Sequence, residues 1–349
     1  MRHSVARRTI ATPMILSALL VAFALVAWAW GSRPFNQTVI EIFLQVVFVV
    51  GLYVFVGNSG VISFGHIAFA CFGAYVAAWT TIKPMMKAIS MPGLPDWLMQ
   101  MEVPFWVAAG AGGVFAAFWA LIFGKVLMRL TGIAASIATF AMLAMVNSVY
   151  SNWDSVTAAT SSVVGIPIIR TVWPYLVAAI VAVFAAWAYS ISRHGLALRA
   201  ARDEPTAAAA SGIDIPRARL IAFVISGAIM GAGGALYTHS IGLVTPDTFY
   251  LGLTFTTLSM LVVGGMSSLS GAVLGVLILS SLIQALRWLE AGVTLGDMTI
   301  SVPGGVQEIT LGVVMILILM FRPAGIMGTK ELTWHFARKE KPGVPGSTN

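Results

Sequence analysis

The chain has 349 residues, of which 58% are hydrophobic and 9% are charged, and its net charge is +7. A soluble globular domain carries roughly 25% charged residues, so this composition excludes a soluble protein and indicates an integral membrane protein. The single cysteine, Cys71, offers neither a disulfide nor a cysteine cluster for a metal.

Ten apolar segments reach about the 20 residues that a helix needs to cross a bilayer core about 30 Å thick, although a count of eight also fits the sequence. The segments are 11–30, 37–56, 61–82, 104–128, 132–150, 173–192, 218–239, 249–265, 272–289 and 305–321. The predicted fold is therefore an all-α polytopic bundle of about 8–10 transmembrane helices. The pair 249–265 and 272–289 is joined by GGMSSLSG, which is either a turn between two spans or the bend of a re-entrant helix.

The first apolar run follows three arginines and ends in Ala27-Trp28-Ala29, which resembles the cleavage site of a signal peptide. Its length exceeds the usual hydrophobic region of such a peptide, and bulky tryptophans flank the small residues. We predict that residues 1–36 hold a basic segment and a first transmembrane helix.

The stretch Asn58 to Tyr75, NSGVISFGHIAFACFGAY, is unusually polar for a membrane span. Helical spacing would place its small and polar residues on one stripe, with the phenylalanines off it. The members of the stripe are Ser59, Ser63, His66, Ala70, Gly73 and Ala77. Such a stripe favours close helix contact in lipid more than a substrate path.

Glycines recur at helix-packing spacing later in the chain. Gly227, Gly231 and Gly234 form one small-residue stripe, and Gly271 with Gly275 forms a GxxxG motif. The stretches GNSGVISFG (57–65) and GGMSSLSG (264–271) are both Gly/Ser turns that open into a helix, which suggests an internal repeat.

The segment Ser192 to Leu220 is the most informative polar loop. Pro205 fits the first turn of a short helix with Asp203 as its N-cap, and Gly212 fits its C-terminal cap. A helix held out on such a loop could grip a motor protein, and an ordinary basic loop is the alternative.

Lysines and arginines divide unequally between the two sides of the predicted bundle. With ten spans and the N-terminus inside, fifteen of them fall on the inner side and five on the outer side, as the positive-inside bias requires. The basic charge is thus a topology signal and does not indicate nucleic-acid binding. We expect both termini to be cytoplasmic, with the tail Lys330 to Lys341 either lying on anionic lipid as a helix or solvated.

Several catalytic and coupling motifs are missing from the sequence. No GxxxxGK[ST], HExxH or GxSxG stretch occurs, so an ATPase site or a membrane enzyme is not indicated. Glu41 and Glu308 are the acidic residues that an ion-coupled carrier would use, but each lies near the outer end of its span and can reach interfacial water.

Five blocks of sequence, taken in order, resemble a known family. They are GNSGVISFGHIAFACFGAY, RHGLALRAARDEPTAAAASGID, AFVISGAIMGAGGALY, LVVGGMSSLSGAVLG and FRPAGIMG. In this order they are similar to the LivM-type permeases of bacterial branched-chain amino acid ABC importers. The resemblance covers roughly residues 40–328 and makes 37–325 a permease domain with a coupling loop at 193–219, followed by a basic tail at 326–349.

The resemblance implies a multi-pass inner-membrane subunit without its own ATPase site or bound cofactor. A periplasmic binding protein would deliver the substrate, a homologous LivH-type permease would pair with this chain, and two ATP-binding subunits holding ATP and Mg²⁺ would dock below. By this similarity, the residues contacting the ATPase are Arg199, Arg202, Glu204, Thr206, Ala207, Ala208 and Gly212. Asn58, Ser59, Ser63 and His66 become candidates for the translocation path or the permease interface, facing protein or water.

One outer loop departs from the family pattern. Relatives carry a motif close to TGGSxGLxGIP, and here Thr157 to Pro167 reads TAATSSVVGIP. Because Ala158 and Ala159 replace glycines, we expect a backbone of positive φ to be rebuilt there. The change leaves urea, amides or other small organic molecules as alternative substrates to branched-chain or other apolar amino acids.

Two further functions stay open from the residues alone. An autonomous channel or ion-coupled carrier for a small polar solute would work without ATP and would need Glu41 or Glu308. A structural or assembly subunit would respond to polar substitutions at Ser59, Ser63 and His66 only through the stability of a complex.

Overall fold

The computed structural model of the protein describes residues 2–290, 293–295, 298–300, 306–322 and 324–332. Within these ranges the chain is built almost wholly of helices, as the all-α prediction requires. The helices are α1 (Arg2–Trp30), α2 (Arg33–Ser59), α3 (His66–Thr81), α4 (Pro84–Ser90), α5 (Asp96–Met99), α6 (Phe105–Leu127), α7 (Gly132–Asn152), α8 (Asp154–Thr157), α9 (Trp173–Ile191), α10 (Arg193–Asp203), α11 (Pro205–Ala210), α12 (Ile215–Ile241), α13 (Leu251–Gly264), α14 (Leu269–Glu290) and α15 (Val306–Phe321). The short strands β1 (Val163–Val164) and β2 (Leu243–Val244) pair antiparallel, as do β3 (Val293–Leu295) and β4 (Met298–Ile300), and Asp247–Phe249 forms a 3₁₀ turn.

Eight helices of the described ranges are long and apolar enough to cross a membrane. The predicted segments 61–82 and 305–321 instead give α3 and α15, which have 16 residues each. At 1.5 Å per residue, 16 residues cover roughly 24 Å, which is short of a bilayer core of about 30 Å. The lower of the two predicted counts therefore fits the described residues. Both α13, with the turn before it, and α14 qualify as separate spans.

Helix α12 lies at the centre of the bundle and packs on α2, α3 and α6. A Cβ atom added to Gly73 would overlap the carbonyl group of Gly231, and one added to Gly234 would overlap the backbone of α3. On the α6 side, a Cβ atom on Gly227 would lie 2.8 Å from the Cβ atom of Ala120. In lipid, helices associate through such close packing, so these glycines set the distance between the central helices.

Helices α13 and α14 form a hairpin that also rests on glycine. A Cβ atom on Gly264 would overlap the carbonyl group of Gly271, and one on Gly275 would overlap that of Met260. The backbones of α13 and α14 are therefore in contact in the turns on either side of the GGMSSLSG bend.

The chain between α2 and α3 is not helical, so the single predicted stripe from Ser59 to Ala77 is wrong. Helix α2 ends at Ser59, Gly60 takes a φ of +71°, and α3 begins only at His66. Ser59 and Ser63 thus do not share a helix with His66.

Helix α7 supplies the hydrogen bonds that the break at 60–65 would otherwise lack. The Ser136 hydroxyl donates to the Ile62 carbonyl over 2.7 Å, and the Phe64 N–H donates to the Thr139 hydroxyl over 3.3 Å. Non-helical backbone is tolerated inside a membrane protein where the protein buries it. A stretch that is compatible with a helix therefore becomes a break because of its neighbour in space.

The predicted loop helix is present as α11, preceded by α10. Pro205 occupies its first turn as predicted, but the N-cap is Glu204, whose carboxylate accepts a hydrogen bond from the Thr206 N–H at 3.3 Å. The prediction of Asp203 as the cap is wrong because Asp203 is still the last residue of α10.

The end of α11 follows the predicted glycine cap. Gly212 has a φ of +82°, its N–H donates to the Ala209 carbonyl over 3.0 Å, and the Ile213 N–H donates to the Ala208 carbonyl over 3.1 Å. This pair of bonds is the Schellman arrangement, which ends a helix at a left-handed glycine.

Candidate functional site

The four polar residues of the 58–75 stretch lie in the core of the chain. Asn58, Ser59, Ser63 and His66 are between 1% and 4% exposed. They are therefore buried by this chain's own helices and do not lie on a lipid-facing surface. Their place in a translocation path stays a prediction.

Short-range hydrogen bonds hold these side chains. The Asn58 amide donates to the Val54 carbonyl over 3.0 Å, the Ser59 hydroxyl accepts from the Val61 N–H, and the Ser63 hydroxyl lies 2.7 Å from Nδ1 of His66. The bonds stabilise the ends of α2 and α3 at the break.

The His66 ring sits among aromatic side chains. Its centroid lies 5.1 Å from those of Phe55 and Phe223 and 5.9 Å from that of Phe69. Nε2 of His66 and Oδ1 of Asn58 are buried and have no hydrogen-bond partner among the described residues. His66 therefore packs against aromatic rings that come from α2, α3 and α12.

Two arginines of the predicted coupling loop turn towards the bundle. Arg202 donates from Nη1 to the Gly57 carbonyl over 2.7 Å and pairs with Asp203 over 3.0 Å, and Arg199 donates to the Ser190 carbonyl. Both accepting carbonyls lie in the last turns of α2 and α9, where helix carbonyls lack partners. These arginines anchor the loop to the bundle, and their contact with an ATPase subunit stays a prediction.

The exposed face of α11 is formed by small side chains. Thr206 and Ala207 are exposed on α11, Ala208 is buried against the bundle, and Gly212 has open space around its Cα atom. Helix α11 is therefore held from one side and free on the other. This arrangement suits a helix that seats in a partner's groove.

The two Gly/Ser turns of the sequence meet in space. A Cβ atom on Gly57 would lie 2.6 Å from the carbonyl oxygen of Met266. A cavity of about 280 Å³ lies beside this contact and also touches Gly60, Arg202 and Ser267. The loop, the break and the α13–α14 hairpin thus converge at one end of the bundle, which we call the basic end. The internal repeat stays a prediction.

The segment 324–332 closes over the α13–α14 turn at the basic end. The Glu331 carboxylate accepts from the N–H groups of Leu269 and Ser270 over 2.7 and 2.9 Å, and from the Ser270 hydroxyl over 2.6 Å. The Lys330 carbonyl accepts from the Ser268 hydroxyl over 2.7 Å. A carboxylate at the N-terminus of α14 is favoured by the unpaired N–H groups and the helix dipole. Of the predicted tail helix, 330–341, the first three residues are not helical and the others lie outside the described residues.

At the opposite end, Glu41 is engaged in an ion pair that the sequence did not reveal. Its Oε2 lies 2.9 Å from Nη1 of Arg287, and the two side chains are 39% and 49% exposed. The pair is half-exposed, and the access of Glu41 to interfacial water stays a prediction. Glu308 lies in α15, and its side chain is outside the described residues.

The variant outer loop keeps its left-handed backbone. Ala158 has a φ of +58° and Ala159 a φ of +50°, so the expectation of a rebuilt backbone is wrong. The loop is held by β1 pairing with β2 and by the Ile169 N–H donating to the His239 carbonyl over 2.9 Å. Its alanines therefore adopt a conformation that glycine would take without strain.

Comparisons with known proteins place the chain in a family. Residues 35–319 match the family described as "Branched-chain amino acid transport system / permease component". The high-affinity branched-chain amino acid transport system permease protein LivM of Escherichia coli is 23% identical over 88% of this chain and 74% of its own length. LivM of Salmonella typhimurium is 23% identical over 91% of this chain and 76% of its own length.

A shorter similarity reaches a second type of permease. The probable branched-chain amino acid transport permease protein LivH of Methanocaldococcus jannaschii is 33% identical over 24% of this chain and 26% of its own length. No solved structure matches significantly. Because the family match covers most of the helical bundle, the resemblance seen in the sequence is confirmed: the chain is a multi-pass membrane protein that belongs to the family of branched-chain amino acid transport permease components.

Proposed function

We propose that this chain is the permease subunit of an ATP-driven, binding-protein-dependent importer for branched-chain or other apolar amino acids. The family match supports the permease role, and the observation that carries ATP coupling is α11, which presents an exposed small face while Ala208 packs on the bundle. The sequence holds no phosphate-binding loop, so ATP and Mg²⁺ would be held by two separate subunits.

The proposed complex has the composition that the LivM and LivH relatives suggest. This chain would pair with a LivH-type permease in the inner membrane and receive substrate from a periplasmic binding protein. The excess of lysine and arginine supports a cytoplasmic position for the basic end, which would put α11 and both termini on the ATPase side.

The contacts of the loop suggest how ATPase movement would reach the spans. A force on α11 passes to α10, and from Arg202 to the Gly57 carbonyl at the end of α2. The break at 60–65 follows within three residues of this carbonyl. Breaks and loop-terminal residues are where hinges absorb backbone rotation, so this site would convert loop movement into a shift of α2 against α3.

An autonomous ion-coupled carrier receives less support. Its best candidate residue, Glu41, is paired with Arg287 at 2.9 Å, so it does not present a lone carboxylate for a coupling ion. No observation on the described residues favours a carrier over an ATP-driven permease.

The experiment is affinity purification of the tagged chain at its native level, followed by mass spectrometry, for the wild type and for Gly212→Asp. We expect ATP-binding subunits and a second permease with the wild type, and loss of the ATP-binding subunits with the variant. The matched control is Gly132→Asp, because Gly132 is also exposed, has a φ of +56° and has open space around it. Purification of the wild-type chain alone, together with solute transport in ATP-free liposomes, would overturn the proposal.

A further inference from the structure

A polar cavity of about 240 Å³ lies between α2, α12, α13 and α14, and the Glu41–Arg287 ion pair forms part of its wall. Pockets for drug-sized ligands occupy roughly 300–1,000 Å³, so this one suits a smaller molecule. Its charged wall residues are one carboxylate and one guanidinium group, and they lie side by side.

The rest of the wall divides into a polar and an apolar part. Oε1 of Gln45 and Oγ of Ser280 are buried and have no hydrogen-bond partner among the described residues. Buried polar atoms are nearly always bonded, so these two are left for a ligand or for water. The apolar part is formed by Ile42, Leu253, Met260 and Ile283.

A wider cavity, which we call the vestibule, shares a wall residue with the first one. This second cavity of about 620 Å³ is lined by Arg33, Arg170 and Asn36, and Glu41 belongs to both walls. Arg170 follows the variant outer loop, so the loop lies beside this vestibule. The two guanidinium groups in its wall, those of Arg33 and Arg170, attract a carboxylate-bearing solute.

We propose that this cavity is a transit site for a zwitterionic α-amino acid with an apolar side chain, a proposal that rests on the importer function proposed above. The amino acid's ammonium group binds Glu41, its carboxylate binds Arg287, and its side chain lies on the apolar wall. At neutral pH a free α-amino acid carries both charges, so it replaces one protein ion pair by two protein–ligand pairs without leaving any charge unpaired.

The exposure of the ion pair is compatible with a site that binds and then releases its ligand. Both side chains are at least 39% exposed, and half-exposed pairs contribute little to stability. A ligand can therefore separate Glu41 from Arg287 at small cost, and the pair can close again when the ligand leaves. A transit site has to release what it binds, and the competing internal pair provides this release.

The test uses the full chain in nanodiscs and saturation-transfer NMR with L-leucine, which detects weak binding and needs no ATPase subunit. We expect a leucine signal with the wild type that falls at least fivefold in Glu41→Gln and in Arg287→Gln. N-acetyl-L-leucine, which lacks the ammonium group, should bind weakly to the wild type, and Glu41→Gln should no longer distinguish it from leucine. L-leucinamide, which lacks the carboxylate, should likewise bind weakly to the wild type, and Arg287→Gln should no longer distinguish it from leucine.

The matched control is Glu102→Gln, because Glu102 is an exposed carboxylate of the same end. The double variant Glu41→Arg/Arg287→Glu restores the ion pair with its charges exchanged, so a purely structural role predicts normal thermal stability and a normal leucine signal. We expect normal stability and a reduced signal, since each charge then faces the wrong end of the ligand.

Equal leucine signals in the wild type and both single variants, or recovery of the signal in the double variant, would overturn the transit site. These outcomes are separate from the importer proposal, which is tested by ATP-dependent uptake in the complete complex. If uptake did not depend on Glu41 or Arg287, the importer proposal would still hold and the transit site would be excluded.

Discussion

The guanidinium group of Arg202 donates a hydrogen bond over 2.7 Å to the carbonyl oxygen of Gly57, which lies 145 residues earlier in the chain. This bond joins the loop that carries α11 to the last turn of α2, next to the break at 60–65. It supplies a partner for a carbonyl that the end of a helix leaves without one. One arginine thus connects the proposed ATPase contact with the place where the central helices are interrupted.

We expect Arg202→Gln to uncouple ATP hydrolysis from uptake. The side chain is 26% exposed, so the loss of its charge-assisted bond costs only about 1 kcal/mol of unfolding free energy. The complex should still assemble and hydrolyse ATP, while the amount of amino acid imported per ATP falls several-fold. The measurement is ATPase activity and uptake in the same proteoliposomes.

The control for Arg202→Gln is Arg217→Gln, which removes the same charge from an exposed position at the same end. Its ratio of uptake to ATP hydrolysis should match the wild type. An Arg202→Gln variant with a wild-type ratio would show that the bond to Gly57 is not part of the coupling.

Gly73→Ala is expected to destabilise the centre of the bundle. The added methyl group would overlap the Gly231 carbonyl, which belongs to the backbone of α12 and cannot move as a side chain does. Overpacking of this kind costs about 1–3 kcal/mol. Thermal unfolding in detergent, followed by circular dichroism, measures the effect.

Gly110→Ala is the matched control for Gly73→Ala. Gly110 lies in α6 with open space around it, so alanine there should leave stability unchanged or raise it by up to about 1 kcal/mol through its better helix propensity. If both variants unfolded at the same temperature, the contact between α3 and α12 would not be as close as the structure has it.

The sequence predicted those features whose causes are local. Gly212 was recognisable as a helix cap because the Schellman motif involves only neighbouring residues. The contacts of Arg202 with Gly57 and of Glu41 with Arg287 were not predicted, because these partners lie 145 and 246 residues away in the chain. No spacing rule connects residues at such distances.

The break before α3 shows the same limit. The residues 60–65 continue the periodicity of a helix, and the outcome depends on hydroxyl groups of Ser136 and Thr139 that come from α7. Small-residue stripes were easier to interpret, because the absence of a side chain permits a close contact whichever helix supplies it.

Removal of the Glu331 carboxylate is expected to loosen the α13–α14 hairpin. It accepts two N–H bonds and one hydroxyl bond at the start of α14, and loss of such a cap costs about 2 kcal/mol. Glu331→Ala should therefore lower the unfolding temperature and speed hydrogen exchange at Leu269 and Ser270. The unfolding temperature of Glu331→Gln should lie between those of Glu331→Ala and the wild type, because its amide keeps one accepting oxygen.

Glu102→Ala serves as the control for Glu331→Ala, since Glu102 is exposed at the other end. It should change neither the unfolding temperature nor exchange in α14. Unchanged exchange at Leu269 in Glu331→Ala would mean that the carboxylate does not cap this helix in solution.

The alanines of the variant outer loop provide a prediction of increased stability. Ala158 and Ala159 have φ values of +58° and +50°, a conformation that costs a residue with a Cβ atom roughly 1–2 kcal/mol. Glycine removes this strain but adds about 0.4–1 kcal/mol of unfolded-state entropy. Each of Ala158→Gly and Ala159→Gly should therefore stabilise the protein by a net amount of about 0.5–1 kcal/mol, measured from its thermal unfolding. Ala88→Gly, in the exposed helix α4 of the same end, should instead destabilise it by about 1 kcal/mol. Loss of stability in all three variants would show that the loop does not hold left-handed alanines, and that its departure from the family motif has rebuilt the backbone beside the vestibule.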